Sequence, residues 1–221
     1  DQPRSRGLGD VYKRQGSILI QVGTLNLYYS ELSGNKAKQG GGMYAKGASS
    51  TNRNNNIVNI YNSIIKDNEA TQVGAGFFMH YTVATIEGTT IDNNVAAGDG
   101  GGGIIHSMDV TITNTIISNN EGDDGGGLVI SDFTPNGGTL ESCSAVLRQV
   151  TFSNNDAEYF GDDFETKGAV VTIVNSVANN IYEKTNQPTT WTACADDPCS
   201  VAPFTGTCSA CLLYTSDAAD D

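Results

Sequence analysis

The chain has 221 residues and a formal net charge of −13, from 25 acidic and 12 basic side chains. Such a surface repels phosphate backbones and anionic bilayers, which argues against nucleic acid as a partner. No apolar run approaches the ~18 residues needed to span a membrane as a helix.

The two ends are read first. Ser5–Gln15 is SRGLGDVYKRQ and Cys211–Asp221 is CLLYTSDAADD. Both resemble translations of the transposase adapters used to prepare sequencing libraries. Asp10–Gln15 back-translates to the transposon end, and Cys211–Ser216 to the same end in reverse complement. Residues 1–15 and 211–221 are therefore set aside from fold reasoning. The natural segment is expected at 16–210, as a fragment open at both ends. It keeps 8 basic and 20 acidic residues, a net charge of −12.

Along that segment one unit recurs: an apolar residue, two of any kind, an Asn, then a small residue and a glycine cluster. It occurs as Leu32…Asn35 before Gly40–Gly42 and as Ile65…Asn68 before Gly74–Gly76. It returns as Ile91…Asn94 before Gly100–Gly103 and as Ile117…Asn120 before Gly125–Gly127. Phe152…Asn155 leads to Gly161, and Val177…Asn180 ends the series without glycines. The asparagines are 33, 26, 26, 35 and 25 residues apart, a base period near 26 with two insertions. Alternating, β-branched stretches at 57–65, 110–117, 147–152 and 170–177 read as strands, with Gly/Asn/Asp clusters as corners. Helical periodicity is absent.

A repeat this short cannot supply the four antiparallel strands of a propeller blade, which needs ~40 residues or more. It does fit one coil of a β-helix, in which each coil buries its apolar side against its neighbours. The expected fold is all-β: a right-handed, single-stranded parallel β-helix of about six coils over 16–184. Asn35, Asn68, Asn94, Asn120, Asn155 and Asn180 should stack as an amide ladder, and Asn tolerates the left-handed backbone of a corner. Gly42, Gly76, Gly103, Gly127 and Gly161 should let backbones approach closely or take positive φ. Ala37, Ala70, Ala96 and Ala157 belong where space is tight.

The pairing of F/I-x-x-N with a G-G-G/A-hydrophobic step resembles the polymorphic outer membrane protein repeat of chlamydial surface autotransporters. It is carried by Ile65/Asn68, Ile91/Asn94, Ile117/Asn120 and Phe152/Asn155 with Gly40–Met43, Gly74–Phe77, Gly100–Ile104 and Gly125–Leu128. This chain departs from that pattern by Ile for Phe in three units and by the missing glycine step after Asn180. The resemblance spans about 30–184. It implies a right-handed β-helix and an extracellular or cell-surface location, on a bacterial outer membrane or secreted, with an adhesin-like role.

The tail 185–210 breaks the pattern and reads as a Cys-containing cap or linker. Cys143, Cys194, Cys199 and Cys208 are an even number, which fits two disulfides and an oxidising compartment. Free thiols are the rival reading. Zinc is a third, weakened because no C-x-x-C pair and no nearby His accompany them. Trp191 is read as a cap on the last coil or an exposed contact.

Three patterns raise chemistry. Asp99, Asp123, Asp124, Asp162 and Asp163 would form a column if the coils are in register, able to hold calcium or simply to stand as a solvated acidic ridge. His80 and His106 both lie twelve residues after a ladder Asn, with Asp132 at the next such place. Counting from the glycines instead puts the two histidines on opposite faces. Pectin-cleaving hydrolases of this fold resemble one another through N-T-D, G-H-G and R-I-K motifs, and none occurs here. Lyases use an Arg or Lys base, and Arg148 and Lys167 are the only basic residues between 67 and 183.

The reading that results is a non-catalytic surface or secreted β-helix segment that binds a surface protein or a glycan, with no cofactor unless calcium. The alternatives are a fragment of a polysaccharide lyase or glycoside hydrolase, and a structural coat or wall protein. No Asn stands in an N-x-Ser/Thr sequon, which leans towards a bacterial source.

Overall fold

The computed structural model describes residues 17–47, 56–106, 109–132, 143–183, 190–194 and 213–215. Every element in them is a strand. The chain opens with β1 (Ile18–Ile20) and then cycles through four strands per turn. The first such turn is β2 (Gly23–Tyr28), β3 (Glu31–Ser33), β4 (Lys36–Gln39) and β5 (Met43–Lys46). The next is β6 (Asn56–Tyr61), β7 (Ile64–Lys66), β8 (Glu69–Val73) and β9 (Phe77–His80). Then come β10 (Val83–Glu87), β11 (Thr90–Asp92), β12 (Val95–Ala96) and β13 (Gly103–His106), followed by β14 (Asp109–Thr113), β15 (Ile116–Ser118), β16 (Glu121–Asp124) and β17 (Leu128–Ser131). The cycle repeats as β18 (Ser144–Arg148), β19 (Thr151–Ser153), β20 (Asp156–Phe160) and β21 (Phe164–Lys167). The chain ends in β22 (Val170–Val174), β23 (Val177–Glu183), β24 (Thr190–Cys194) and β25 (Leu213–Thr215).

Each strand pairs in parallel with its counterpart one turn away. The result is a parallel β-helix with four faces. The first face runs β2-β6-β10-β14-β18-β22-β24 and the third β4-β8-β12-β16-β20. The second starts at β3 and the fourth at β1. They merge where β23 pairs with both β19 and β21.

Alternation along each strand explains the arrangement. Val58 and Ile60, Ala84 and Ile86, Val110 and Ile112, and Ala145 and Leu147 point inward from the first face. Ile65, Ile91, Ile117 and Phe152 do so from the second. A slip of one residue would turn each set to solvent, so the buried column fixes the register. The two longer repeats keep this register because their extra residues fall between the fourth and first faces, after Lys46 and after Ser131.

The asparagines form one hydrogen-bonded column. The Nδ2 groups of Asn35, Asn68, Asn94 and Asn120 donate to Oδ1 of the next Asn at 2.8, 2.9, 2.9 and 3.0 Å. The backbone N–H of each donates to the same oxygen. The second Nδ2 hydrogen of Asn68, Asn94, Asn120 and Asn155 reaches the carbonyls of Leu32, Ile65, Ile91 and Ile117 at 3.0 Å. The three inner amides, on Asn68, Asn94 and Asn120, are thus fully paired in a buried site, the condition under which a buried polar group stabilises.

Several expectations need correcting. Asn180 is not the next rung: Asn155 Nδ2 donates to Asp163 Oδ1 at 3.1 Å, and Asp163 Oδ2 accepts from the backbone N–H groups of Asn179 and Asn180. Among the described residues no third-face strand follows β23, and a carboxylate from the previous turn ends the column. The left-handed corner residue is the one before the ladder Asn (Asp67, Asn93, Asn119 and Asn154, with Gly34 first), not the ladder Asn itself. The helix also passes 184, because β24 pairs in register with β22. β25, within the adapter-like stretch, lies beside β23.

Among the glycines, Gly42, Gly76 and Gly127 sit where a Cβ would overlap the carbonyl one turn away, and their counterpart is Gly102 rather than Gly103. Gly161 takes positive φ and corresponds to Gly40, Gly74, Gly100 and Gly125. Gly103 is a strand residue in the inward column Met43–Phe77–Gly103–Leu128, where its missing side chain leaves room for the Phe77 ring. Gly103→Ala is therefore expected to cost about 1–3 kcal/mol by overpacking, measured by urea unfolding, and Phe77→Leu in the same chain should recover most of it. Equal losses in the single and double variants would contradict this packing.

Candidate functional site

The third face is floored by small residues. Ala70 and Ala96 are buried, and at Gly122 even a methyl group would press on the backbone of Gly98 and Gly101. Side chains next to this floor stand up in register as Lys36–Glu69–Val95–Glu121–Asp156. With Asp123 and Glu158 they border a groove of about 730 Å³ that crosses successive turns. Lys36 is paired to Glu69, leaving the rim strongly acidic.

A second cluster lies where the third face turns into the fourth. The outward column of the fourth face is Tyr44–Phe78–Ile104–Val129, continued by Glu165. The apolar members pack together with Val73 on the outside of the helix. Glu165 therefore enters an apolar column and is 1% exposed. The corner column supplies Asp99 and Asp124, which follow one another because the N–H of Gly74 bonds to the carbonyl of Asp99 and that of Gly100 to Asp124. Carboxylate oxygens of Asp99, Asp124 and Glu165 lie within 4.8 Å of one another. Lys167 Nζ stands 2.6 Å from Glu165, 3.3 Å from Asp99 and 3.9 Å from Asp124. Burial pushes the Glu165 carboxyl up to about 7, against the pull of Lys167. Burial opposes the Lys167 charge, but Glu165 and Asp99 outweigh it and raise its pKa.

Of the five aspartates expected to form one column, only Asp99 and Asp124 come together. Asp123 borders the third-face groove. Asp162 accepts from the Ala157 N–H and from Asn180 Nδ2, and Asp163 ends the ladder. Glu165 was missed, and Lys167, named only as one of two basic residues, was not connected to the aspartates. The available signal was a charged residue in a column otherwise made of Tyr, Phe, Ile and Val.

His80 and His106 are direct register partners with ring centroids 6.0 Å apart, as the count from the asparagines gives. The glycine count failed because Gly103 belongs to the strand. Ser131, not Asp132, follows in the column, and Lys46 and Lys167 flank it. Burial first, then His106 and Lys46, lower His80 to about 3; burial, then Lys167, lowers His106 to about 4. Both rings are neutral at physiological pH. Arg148 lies on the first face, opposite Thr113 and Val174, far in register from the carboxylates. Cys143 is wholly buried in the core, while the side chains of Cys194, Cys199, Cys208 and Trp191 fall outside the described residues. No helix among the described residues is long and apolar enough to cross a membrane.

No family model, curated protein or solved structure matches the chain.

The shifted groups give stability a definite pH dependence. Glu165, raised above its ordinary 4.5, contributes stability that is full below pH 4.5 and lost as pH rises through about 7. The two histidines act oppositely: they cost nothing above their ordinary 6.5 and destabilise increasingly as pH falls towards about 4 and 3. Glu165→Gln should therefore gain stability relative to the parent as pH is raised from 4.5 to 7 in chelated buffer, read by urea unfolding. A constant difference across that window would show that Glu165 titrates normally.

Proposed function

We propose that this chain is part of a non-catalytic β-helix protein, exposed on a cell surface or secreted, that binds a protein partner along its third face. The observation that carries this reading is the groove with an alanine and glycine floor and a rim of Glu69, Glu121, Asp123, Asp156 and Glu158. A floor without large side chains admits an extended segment, and the carboxylates favour one that presents Lys or Arg. The resemblance to the polymorphic outer membrane protein repeat supports the surface role. Solenoids suit it physically, because one face repeats as a continuous binding surface.

A carbohydrate-active fragment is the second reading, favoured by the grouping of Asp99, Asp124 and Glu165 beside Lys167. The burial of Glu165 weighs against it, since a reacting sugar needs access to the acid or base.

One experiment separates the two. The full chain is presented to arrays of Lys/Arg-bearing peptides, neutral peptides and glycans, and is incubated with pectate and alginate. Binding is expected to concentrate on the basic peptides and to weaken at least ~tenfold in Glu121→Lys/Asp156→Lys, a loss of ~1.4 kcal/mol or more, with thermal stability unchanged. Selective glycan binding that survives the double reversal, or release of unsaturated oligosaccharides, would overturn the proposal in favour of the second reading.

A further inference from the structure

The cluster on the outer side of the fourth face does not belong to the groove. Among the described residues it gathers three carboxylates, from Asp99, Asp124 and Glu165, around the Lys167 ammonium. Like charges held this close are costly unless a cation shares them.

An acidic cluster alone would show little, but Glu165 adds an independent fact. It is 1% exposed, it points into the cluster, and its Oε1 has no hydrogen-bond partner among the described residues. Its other oxygen pairs with the Lys167 ammonium. A buried carboxylate oxygen without a donor is rare in a folded chain, because it forfeits its hydration for nothing.

We infer that Asp99, Asp124 and Glu165 form a divalent-cation site suited to calcium, for which the Lys167 ammonium is the resident counter-ion. Calcium binds oxygens at 2.3–2.6 Å, so ligands on one ion stand at most about 5 Å apart, and the three carboxylates satisfy that limit by lying within 4.8 Å of one another. Calcium tolerates irregular oxygen geometry, which suits carboxylates whose positions are set by the stacking of three turns, whereas magnesium demands near-ideal octahedral geometry. Lys167 retains 15% side-chain exposure and has a path to solvent when the ion enters. The site would tie together three turns of the helix, those of β13, β17 and β21. This inference stands whether the chain is a binding protein or a fragment of an enzyme.

The test is calorimetric titration of the full chain, stripped of metal, with calcium and then with magnesium. Binding is expected at one site with Kd in the range of about 10⁻⁴–10⁻³ M, and more weakly for magnesium. Asp124→Asn and Glu165→Gln should each lose at least ~tenfold in affinity. Lys167→Met, which removes the competing charge, should bind more tightly than the parent. Circular dichroism establishes that each variant is folded, and Asp124→Asn, at the more exposed carboxylate, carries the test if Glu165→Gln is not. Absence of calcium binding up to millimolar concentration would overturn the inference. So would binding that persists in Asp124→Asn and is indifferent to Lys167→Met, which would place the ion in the acidic groove of the third face.

Discussion

The structure depends on amide hydrogen bonds that run along the helix axis through the buried column Asn35–Asn68–Asn94–Asn120–Asn155. Each inner side chain accepts two hydrogen bonds and donates two, one of them to a carbonyl of the preceding turn. Only an amide has this balance of donors and acceptors in one plane. An acid would lack donors, and an apolar residue would leave the backbone groups of the corner unpaired. The repeat therefore keeps Asn while its neighbours vary among Leu, Ile and Phe.

Once that column fixes the register, the remaining columns follow. Inward positions meet one another and make the core, and the glycines opposite the asparagines let backbones pass close together. Outward positions acquire meaning only as columns. Glu69, Glu121 and Asp156 are far apart in sequence yet share one column, with Val95 between the first two, and together they make the third face an acidic groove. Asp99 and Asp124 come from the corner column, and Glu165 and Lys167 from two columns of the fourth face, and they meet because the corner folds these columns towards each other. Solenoid geometry thus creates sites from residues that no local motif would connect.

The fold was legible because its signals are periodic and local: Asn every 26 residues or so, alternating apolar strands, and glycine clusters between them. What sequence reasoning misplaced has physical causes. Gly103 was grouped with the corner glycines because a run of four does not reveal which one packs under the Phe77 ring. Asn180 fits the spacing, yet among the described residues no third-face strand follows it, and Asp163 accepts from the Asn155 amide in its place. The acidic column was drawn through Asp123, Asp162 and Asp163 because like residues at like spacing look equivalent. Asp163 instead closes the ladder, Asp162 accepts from the Ala157 N–H and Asn180 Nδ2, and Asp123 borders the third-face groove. Glu165 was invisible as a ligand because its partners lie in a different column, and only the corner geometry brings them within reach.

Replacing Asn120 by Ala tests the account most directly. It strips the acceptor from the Asn94 amide and backbone N–H, the side-chain donor from the Ile91 carbonyl and one of the two donors from Asn155 Oδ1, all within the helix interior. Urea unfolding should show a loss of about 3 kcal/mol or more, since each stranded buried group costs roughly 1–3 kcal/mol, and hydrogen exchange at the Asn94 amide should accelerate. A loss within about 0.5 kcal/mol, as for an ordinary surface change, with Asn94 still protected, would mean that the turns are held in register by something other than the asparagine column.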